Sequence, residues 1–379
     1  MKYRPFGKLG ITRSAFGIGC MRFPMITNEK GEKVVDEELA IRIIRTAIDK
    51  GVNYIDTAYV YSEGQNETVV GKALADGYRE RTAVATKLPT WNCEKPEDLP
   101  RLFEEQCRAL GTDYIDFYLV HALNGESWDK MCSLGIKEFL DSLKAAGRIK
   151  YACFSFHDGY EVFERIINDY DWDMCQIQYN YMDINNQAGT KGLELAGKKG
   201  IPVVIMEGLL GGKLANAPDN VQELFDAFPI KRSPVEWAFR WLCNHPEVGT
   251  VLSGVSSMEQ LEDNLRIFDT VETGSMSTEE LELIDNVRIA YESRTKVGCT
   301  GCKYCMPCPN GVDIPRIFSI WNDICKFNGT YKGNSRYKRL VSSGNDATKC
   351  IECAACESVC PQSINIIQML KNAHNDFIG

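Results

Sequence analysis

The chain has 379 residues, of which 44% are hydrophobic and 25% charged, ordinary values for a globular protein. Its formal net charge of −9 gives no general reason to expect nucleic acid as a partner, and no uninterrupted apolar run reaches transmembrane length. The opening MKYRPFGKLGITR is broken by Pro5, Gly7 and Gly10, unlike the apolar core of a leader, so the chain reads as cytoplasmic. In that reducing compartment its sixteen cysteines are not a disulfide framework.

After an opening hairpin, short apolar runs alternate with stretches of helical period. SAFGIG (14–19) is the first strand, and the amphipathic EELAIRIIRTAIDKG (37–51) leads to NYID (53–56). TAVATK (82–87) precedes EDLPRLFEEQCRALG, where Pro100 is compatible with a delayed helix start. YIDFYLVH (114–121) is followed by LGIKEFLDSLKAAG, and IKYACFS (149–155), MCQIQYN (174–180), IPVVIM (201–206) and GTVLSG (249–254) complete eight strands. Their interiors are short and apolar, as in strands covered on both faces. Eight such units before residue 292 predict an α/β fold of the (β/α)8 TIM-barrel type. The rival doubly wound sheet lacks a G-x-G-x-x-G after a first strand.

A barrel of this kind gathers its chemistry at the C-terminal ends of the strands. Asp56 ends the second strand with Tyr61 just beyond it, Lys87 ends the third, and His121 ends the fourth. Each alone has a plain structural reading: a loop cap, half-buried packing, a solvated strand end, a satisfied core histidine. Four such residues at neighbouring exits make a chemical group. A tyrosine hydroxyl, with an ordinary pKa of about 10, is a poor acid near neutrality. A neighbouring ammonium favours its ionisation, a carboxylate fixes that ammonium, and an imidazole can orient a carbonyl oxygen. Such a site protonates a carbonyl as hydride reaches its carbon, and the hydride must come from a cofactor.

YIDTAYVYSEGQNE, VATKLP and DFYLVHAL, in this order, resemble the aldo-keto reductase family over residues 1–292. The resemblance implies an NAD(P)(H)-dependent oxidoreductase acting on an aldehyde, a ketone or the matching alcohol, with Asp56, Tyr61, Lys87 and His121 catalytic and Tyr61 the proton donor. It also implies cofactor contacts from Gly19, Cys20 and Met21 of GIGCMR, from Asp56, and from Ser155 and Gln176 at the carboxamide. Met206, Gly208, Leu209 and Lys213 of MEGLLGGKL and Gly254, Ser256, Gln260 and Asn264 of SGVSSMEQLEDN would cover the rest of the dinucleotide. The chain departs from the family pattern in three places. Met206 stands where an aromatic ring often stacks on the nicotinamide, and Phe156 and His157 follow the carboxamide serine. The 251–264 segment has no Arg or Lys for a 2′-phosphate, which leaves NAD and NADP both open. His157 is read equally as a loop residue or a substrate or cofactor contact, and His245 and His374 as surface residues.

Eight cysteines are scattered singly, and the other eight form two clusters, at 299–308 and 350–360. CIECAACESVCP is the C-x₂-C-x₂-C-x₃-C-P run of bacterial ferredoxins, and CTGCKYCMPCP differs by one residue. In such runs the fourth cysteine ligates the other cluster. The expected sets are therefore Cys299, Cys302, Cys305 and Cys360 for one 4Fe-4S cluster, and Cys350, Cys353, Cys356 and Cys308 for a second. Zinc also uses C-x₂-C pairs, but two runs of four each closing in C-P favour iron. The tail is predicted as a mainly helical and loop dicluster ferredoxin-like domain over 293–379, with a helix in IPRIFSIWNDICKFNG. Between Arg294 and Lys349 stand ten Lys or Arg against three Asp or Glu. The excess offsets cluster charge, or forms a docking face for an acidic electron carrier of ferredoxin or flavodoxin type. No flavin motif joins the two-electron and one-electron chemistries. The alternative reading is an electron-transfer or redox-regulated nucleotide-sensing protein that uses the barrel for docking or binding.

Overall fold

The computed structural model describes residues 1–378, which form two compact units. The first comprises Met1–Gly211 with Val235–Ser277, and the second Gly212–Pro234 with the chain from Thr278 onward.

The first unit is a closed barrel of eight parallel strands. They are β1 (Phe16–Gly19), β2 (Tyr54–Asp56), β3 (Ala83–Leu88), β4 (Ile115–Leu123), β5 (Ile149–Phe156), β6 (Met174–Gln178), β7 (Val203–Met206) and β8 (Val248–Ser253). Each pairs with the next in chain order, and β8 closes on β1 through Val251 opposite Phe16. The eight strands read from the sequence are all present. The opening hairpin is present too, with Tyr3–Pro5 antiparallel to Thr12–Ser14. A second small hairpin, Met25–Thr27 with Lys33–Val35, lies in the first connection and had no signal in the apolar pattern.

The helices follow from local sequence. Asp36 caps Glu37–Asp49 by accepting the Leu39 amide, and Ala40, Ile43, Ile44, Ala47 and Ile48 form its buried stripe. The helix Asp98–Leu110 is not delayed by Pro100. The proline lies in the first turn, where an amide has no carbonyl partner to lose.

One end of the barrel is closed by an aromatic plug. Phe6 meets Phe117 edge-on at 5.5 Å and Tyr54 at 6.1 Å between ring centroids. This closure needs glycine on β8, because a Cβ at Gly249 would lie 2.5 Å from Phe6 Cε2.

In the second unit the helices Thr278–Glu292 and Asp219–Ala227 pack together. The helices Ile314–Lys326, Ser335–Ser343 and Ile366–Ile378 enclose a core that includes Ile317, Phe318, Trp321, Tyr337 and Leu370. The helix read in IPRIFSIWNDICKFNG is Ile314–Lys326, started by Asp313, whose carboxylate accepts the Arg316 amide. His374 is not a free surface residue: its Nδ1 lies 2.8 Å from the Tyr337 hydroxyl. His245, likewise, is half-buried against Trp241, with ring centroids 4.7 Å apart.

Gly249→Ala should overpack the plug and destabilise the protein by about 1–3 kcal/mol. Thermal unfolding checks this, and an unchanged midpoint would show that Phe6 can move aside.

Candidate functional site

Asp56, Tyr61, Lys87 and His121 meet at the C-terminal mouth of the barrel, on one cavity of about 220 Å³. The barrel register brings them together, since Asp56 is the last residue of β2 and pairs with Ala85 on β3, two residues before Lys87. The Lys87 ammonium sits 2.7 Å from Asp56 Oδ1, 2.8 Å from the Thr57 carbonyl oxygen and 3.1 Å from the Tyr61 hydroxyl. The Gln176 amide donates to the other Asp56 oxygen at 3.3 Å. The His121 ring stands edge-on to Tyr61 at 6.2 Å between centroids.

The electrostatics follow from this burial. Lys87 is 1% exposed and Asp56 2%. Burial alone would push the ammonium down and the carboxyl up, and both groups feel it. Their contact favours the charged pair, and Asp56 and Tyr61 together hold Lys87 above its ordinary value. Burial raises Tyr61 against the pull of the ammonium, so its proton is held firmly near neutrality. His121 is pushed down to about 2 by burial, then by the Lys87 charge and His157, and is therefore neutral. Its Nδ1 has no partner among the described residues.

Behind β3 a second buried network holds the Lys87 backbone. Gln106 Nε2 donates to the Lys87 carbonyl at 3.0 Å and to Glu67 Oε1 at 2.8 Å. The Thr86 hydroxyl donates to Glu67 at 2.5 Å, and the Tyr118 hydroxyl to Gln106 Oε1 at 2.9 Å. Asn66 ties the first connection to the same region by donating to the Cys20 carbonyl at 2.7 Å while accepting the Thr57 hydroxyl at 2.6 Å.

In the second unit the clustered cysteines surround two hollows. Cys308, Cys350, Cys353 and Cys356 line one of about 210 Å³, and Cys299, Cys302, Cys305 and Cys360 line a smaller one of about 20 Å³. Cys305 borders both. Burial, then the neighbouring Cys299, Cys302 and Cys360, push the Cys305 thiol up. Burial raises Cys356 to about 11, with Glu357, Cys350 and Cys305 adding to it. Among the described residues, no three His, Cys, Asp or Glu side chains converge closely enough to hold a single ion. Ringed thiols on each hollow, against apolar neighbours such as Ile314 and Phe318, are a donor set suited to an iron–sulfur cluster.

Residues 16–289 match the family model described as Aldo/keto reductase family. The chain belongs to that family. Residues 298–365 match the 4Fe-4S dicluster domain, so this aldo/keto reductase carries an iron–sulfur tail. It is 25% identical over 330 residues to the uncharacterized oxidoreductase YrpG of Bacillus subtilis, covering 76% of this chain and 96% of that one. It is also 25% identical over 280 residues to the methylglyoxal reductase YeaE of Escherichia coli, covering 70% and 90%. Among solved structures, the holo form of aldo-keto reductase AKR11C1 from Bacillus halodurans superposes with a TM-score of 0.64 at 27% identity, over 76% of this chain and 96% of that chain.

The other positions read from sequence separate into groups. Gly19, Met21, Ser155, Gln176, Met206 and Gly254 line the reductase cavity with the four central residues. The Ser155 hydroxyl oxygen accepts the amide of Ala122, whose φ of 53° is unusual for a residue with a side chain. Cys20 is fully buried beneath the cavity, and Gly208 is packed so that a Cβ would lie 2.7 Å from Leu242. Leu209 is half-buried. Ser256 and Gln260 bond each other, with the Ser256 amide donating to Gln260 Oε1 at 2.9 Å, and Asn264 donates to the Ser253 hydroxyl at 3.0 Å. Lys213 is paired with Asp323 at 2.6 Å. His157 lines the cavity, as do Glu207 and Arg22, which sequence reading passed over although Arg22 closes the quoted GIGCMR. Trp91, 49% exposed, lies 5.0 Å from the His121 ring.

Gln106→Leu should strand the Tyr118 hydroxyl, take the side-chain donor from the Lys87 carbonyl and leave Glu67 with Thr86 alone, at about 1–3 kcal/mol for each buried group left without a partner. The unfolding midpoint should fall well below that of a surface Gln→Leu control, and equal midpoints would refute the network.

Proposed function

We propose that this protein is an NAD(P)(H)-dependent reductase of aldehydes or ketones, reversible toward the alcohol, with Tyr61 as proton donor. The observation that carries the reading is the Lys87 ammonium within hydrogen-bond reach of both Asp56 and the Tyr61 hydroxyl at the base of an open cavity. A nicotinamide cofactor, when bound, supplies the hydride. A carbonyl oxygen seated between Tyr61 and neutral His121 takes its proton from Tyr61 as negative charge develops on it. The ammonium stabilises the phenolate left behind, and Asp56 keeps the ammonium in place. Gly19, Met21, Ser155, Gln176, Met206 and Gly254 fit a nicotinamide edge: Gln176 Oε1 is buried without a partner among the described residues and can accept an amide N–H. The aldo/keto reductase part is taken as 1–292 and the dicluster part as 293–379.

The pH behaviour follows from the shifts. Tyr61 is raised, so the donor stays protonated past the ordinary tyrosine value of about 10, and reduction falls only at the alkaline end. Oxidation of the alcohol, which needs the phenolate, rises with pH instead. His121 is already neutral above about 2 and contributes no acid limb between about pH 5 and 8. A limb in that window that disappears in His121→Asn would contradict the assignment.

The decisive assay is anaerobic addition of NADH or NADPH with and without an aldehyde, following absorbance at 340 nm and cluster EPR together. Carbonyl-dependent oxidation of the cofactor is expected, with Tyr61→Phe slowing it by about 10²–10⁴-fold. Turnover untouched by Tyr61→Phe would end the reading. Cluster reduction by the nicotinamide would favour the electron-transfer alternative.

In the tail, Cys299, Cys302, Cys305 and Cys360 are proposed to hold one 4Fe-4S cluster, and Cys350, Cys353, Cys356 and Cys308 the other. Bound clusters exchange single electrons, and the basic stretch 294–349 suits an acidic carrier of ferredoxin or flavodoxin type. Cys360→Ala and Cys308→Ala should each remove about half of the iron, with different EPR signals surviving in the two variants. Loss of the same signal in both would contradict the reciprocal assignment.

A further inference from the structure

The cation that sequence reading assigned to the cofactor, Lys213, is committed elsewhere. Its Nζ lies 2.6 Å from Asp323 and 5.3 Å from the centroid of the Phe327 ring. The segment 251–264 contains no Lys or Arg. A cationic side chain for an anionic ligand in the barrel cavity would therefore have to come from another element.

Arg22 supplies it. Its side chain is exposed and lines the cavity together with Asp56, Tyr61, Lys87 and His121. The aliphatic stem lies along Gly254, where a Cβ would stand 3.2 Å from Arg22 Cβ and 3.4 Å from Cδ. The guanidinium end reaches Gly211, whose added Cβ would stand 3.2 Å from Nη2. Side chains at either glycine would crowd the arginine, so the two glycines give it its place at the mouth. The remaining charges on the cavity are accounted for. Asp56 and Lys87 neutralise each other, and burial pushes both His121 and His157 down toward the neutral form. Glu207 flanks Arg22 across Gly211, but no ion pair joins them among the described residues. Arg22 is the one cavity-lining cation among the described residues without a carboxylate partner.

We propose that Arg22 is an oxyanion anchor at the mouth of the reductase cavity, gripping either the diphosphate of the dinucleotide or a carboxylate on the carbonyl substrate. The two sources share one chemistry, because a planar guanidinium forms paired N–H···O bonds with phosphate or carboxylate oxygens. The inference rests on the reductase reading above.

The test uses the cluster-loaded full chain as wild type, Arg22→Met and Arg22→Lys, with unfolding midpoints measured to check folding. Titrations with NADH, NADPH and ADP-ribose, which has the diphosphate but no nicotinamide, report dinucleotide binding through protein fluorescence. If the diphosphate is the ligand, all three dissociation constants should rise roughly tenfold or more in Arg22→Met and recover partly in Arg22→Lys. If the anion belongs to the substrate, those constants stay put. The ratio of kcat/KM for succinic semialdehyde over butanal should then fall roughly tenfold or more. Either outcome supports the anchor and names its source. If neither the constants nor the ratio moves by more than about twofold while Tyr61→Phe abolishes turnover, the anchor is wrong and the reductase reading stands. If the wild type binds no dinucleotide and reduces neither aldehyde, both fall together.

Discussion

The contact between Lys87 and Asp56 is the constraint around which the barrel mouth is organised. Removing an ammonium and a carboxylate from water costs several kcal/mol for each ion, and a well-packed apolar pair would often be at least as stable. The pair is tolerable because its remaining valences are filled: Thr57 and Tyr61 take other Lys87 protons, and Gln176 serves the second Asp56 oxygen. The closed parallel barrel delivers these partners from non-adjacent parts of the chain to one end. Stability alone does not call for such a pair, whereas the proton donor proposed at Tyr61 would gain from a fixed ammonium beside it.

The backbone around the mouth carries the same signature. Ser62 and Glu63 follow Tyr61 with φ of 48° and 55°, Ala122 follows His121 at 53°, and Glu207 follows the end of β7 at 58°. Each is a residue with a side chain in the left-handed region, at an expense of order 1–3 kcal/mol. Residues in that region persist where surrounding structure over-determines them. Here the fixing contacts are visible: the Ala122 amide is held by Ser155, and Asn66 braces the Tyr61 turn through the Ser62 hydroxyl. Strain and the buried ion pair thus occur on the same face of the barrel.

The barrel was legible in the sequence because its strands are covered on both faces, so each appears as a short apolar run between helical stretches. Asp56, Lys87 and His121 were legible because each is a polar residue within two positions of the end of an otherwise largely apolar strand, and Tyr61 because it follows Asp56 closely in the next connection. Arg22 was not, although it follows Met21 directly. Its importance depends on Gly211 and Gly254, which lie on other connections and meet it only when the barrel closes. Lys213 shows the converse. A lysine in a glycine-rich loop reads locally as a phosphate ligand, and nothing local announces Asp323, 110 residues away. Ion pairs between distant segments are invisible to motif reading, and they decide which cations remain free.

The same accounting applies to the tail. Of its three acids between Arg294 and Lys349, Asp313 caps a helix, Asp346 accepts the Thr348 amide while 1% exposed, and Asp323 holds both Lys213 and Arg336. Lys326 is matched from outside the stretch by Glu292, but the exposed Lys303, Arg316, Lys338, Arg339 and Lys349 have no carboxylate partner among the described residues. Burial pushes the Cys305 and Cys356 thiols up, which disfavours the thiolate. Iron reverses the situation, because a thiol must lose its proton to bind the metal. Clusters held by the tail cysteines would add thiolate charge to a unit whose Arg294–Lys349 stretch is rich in cations.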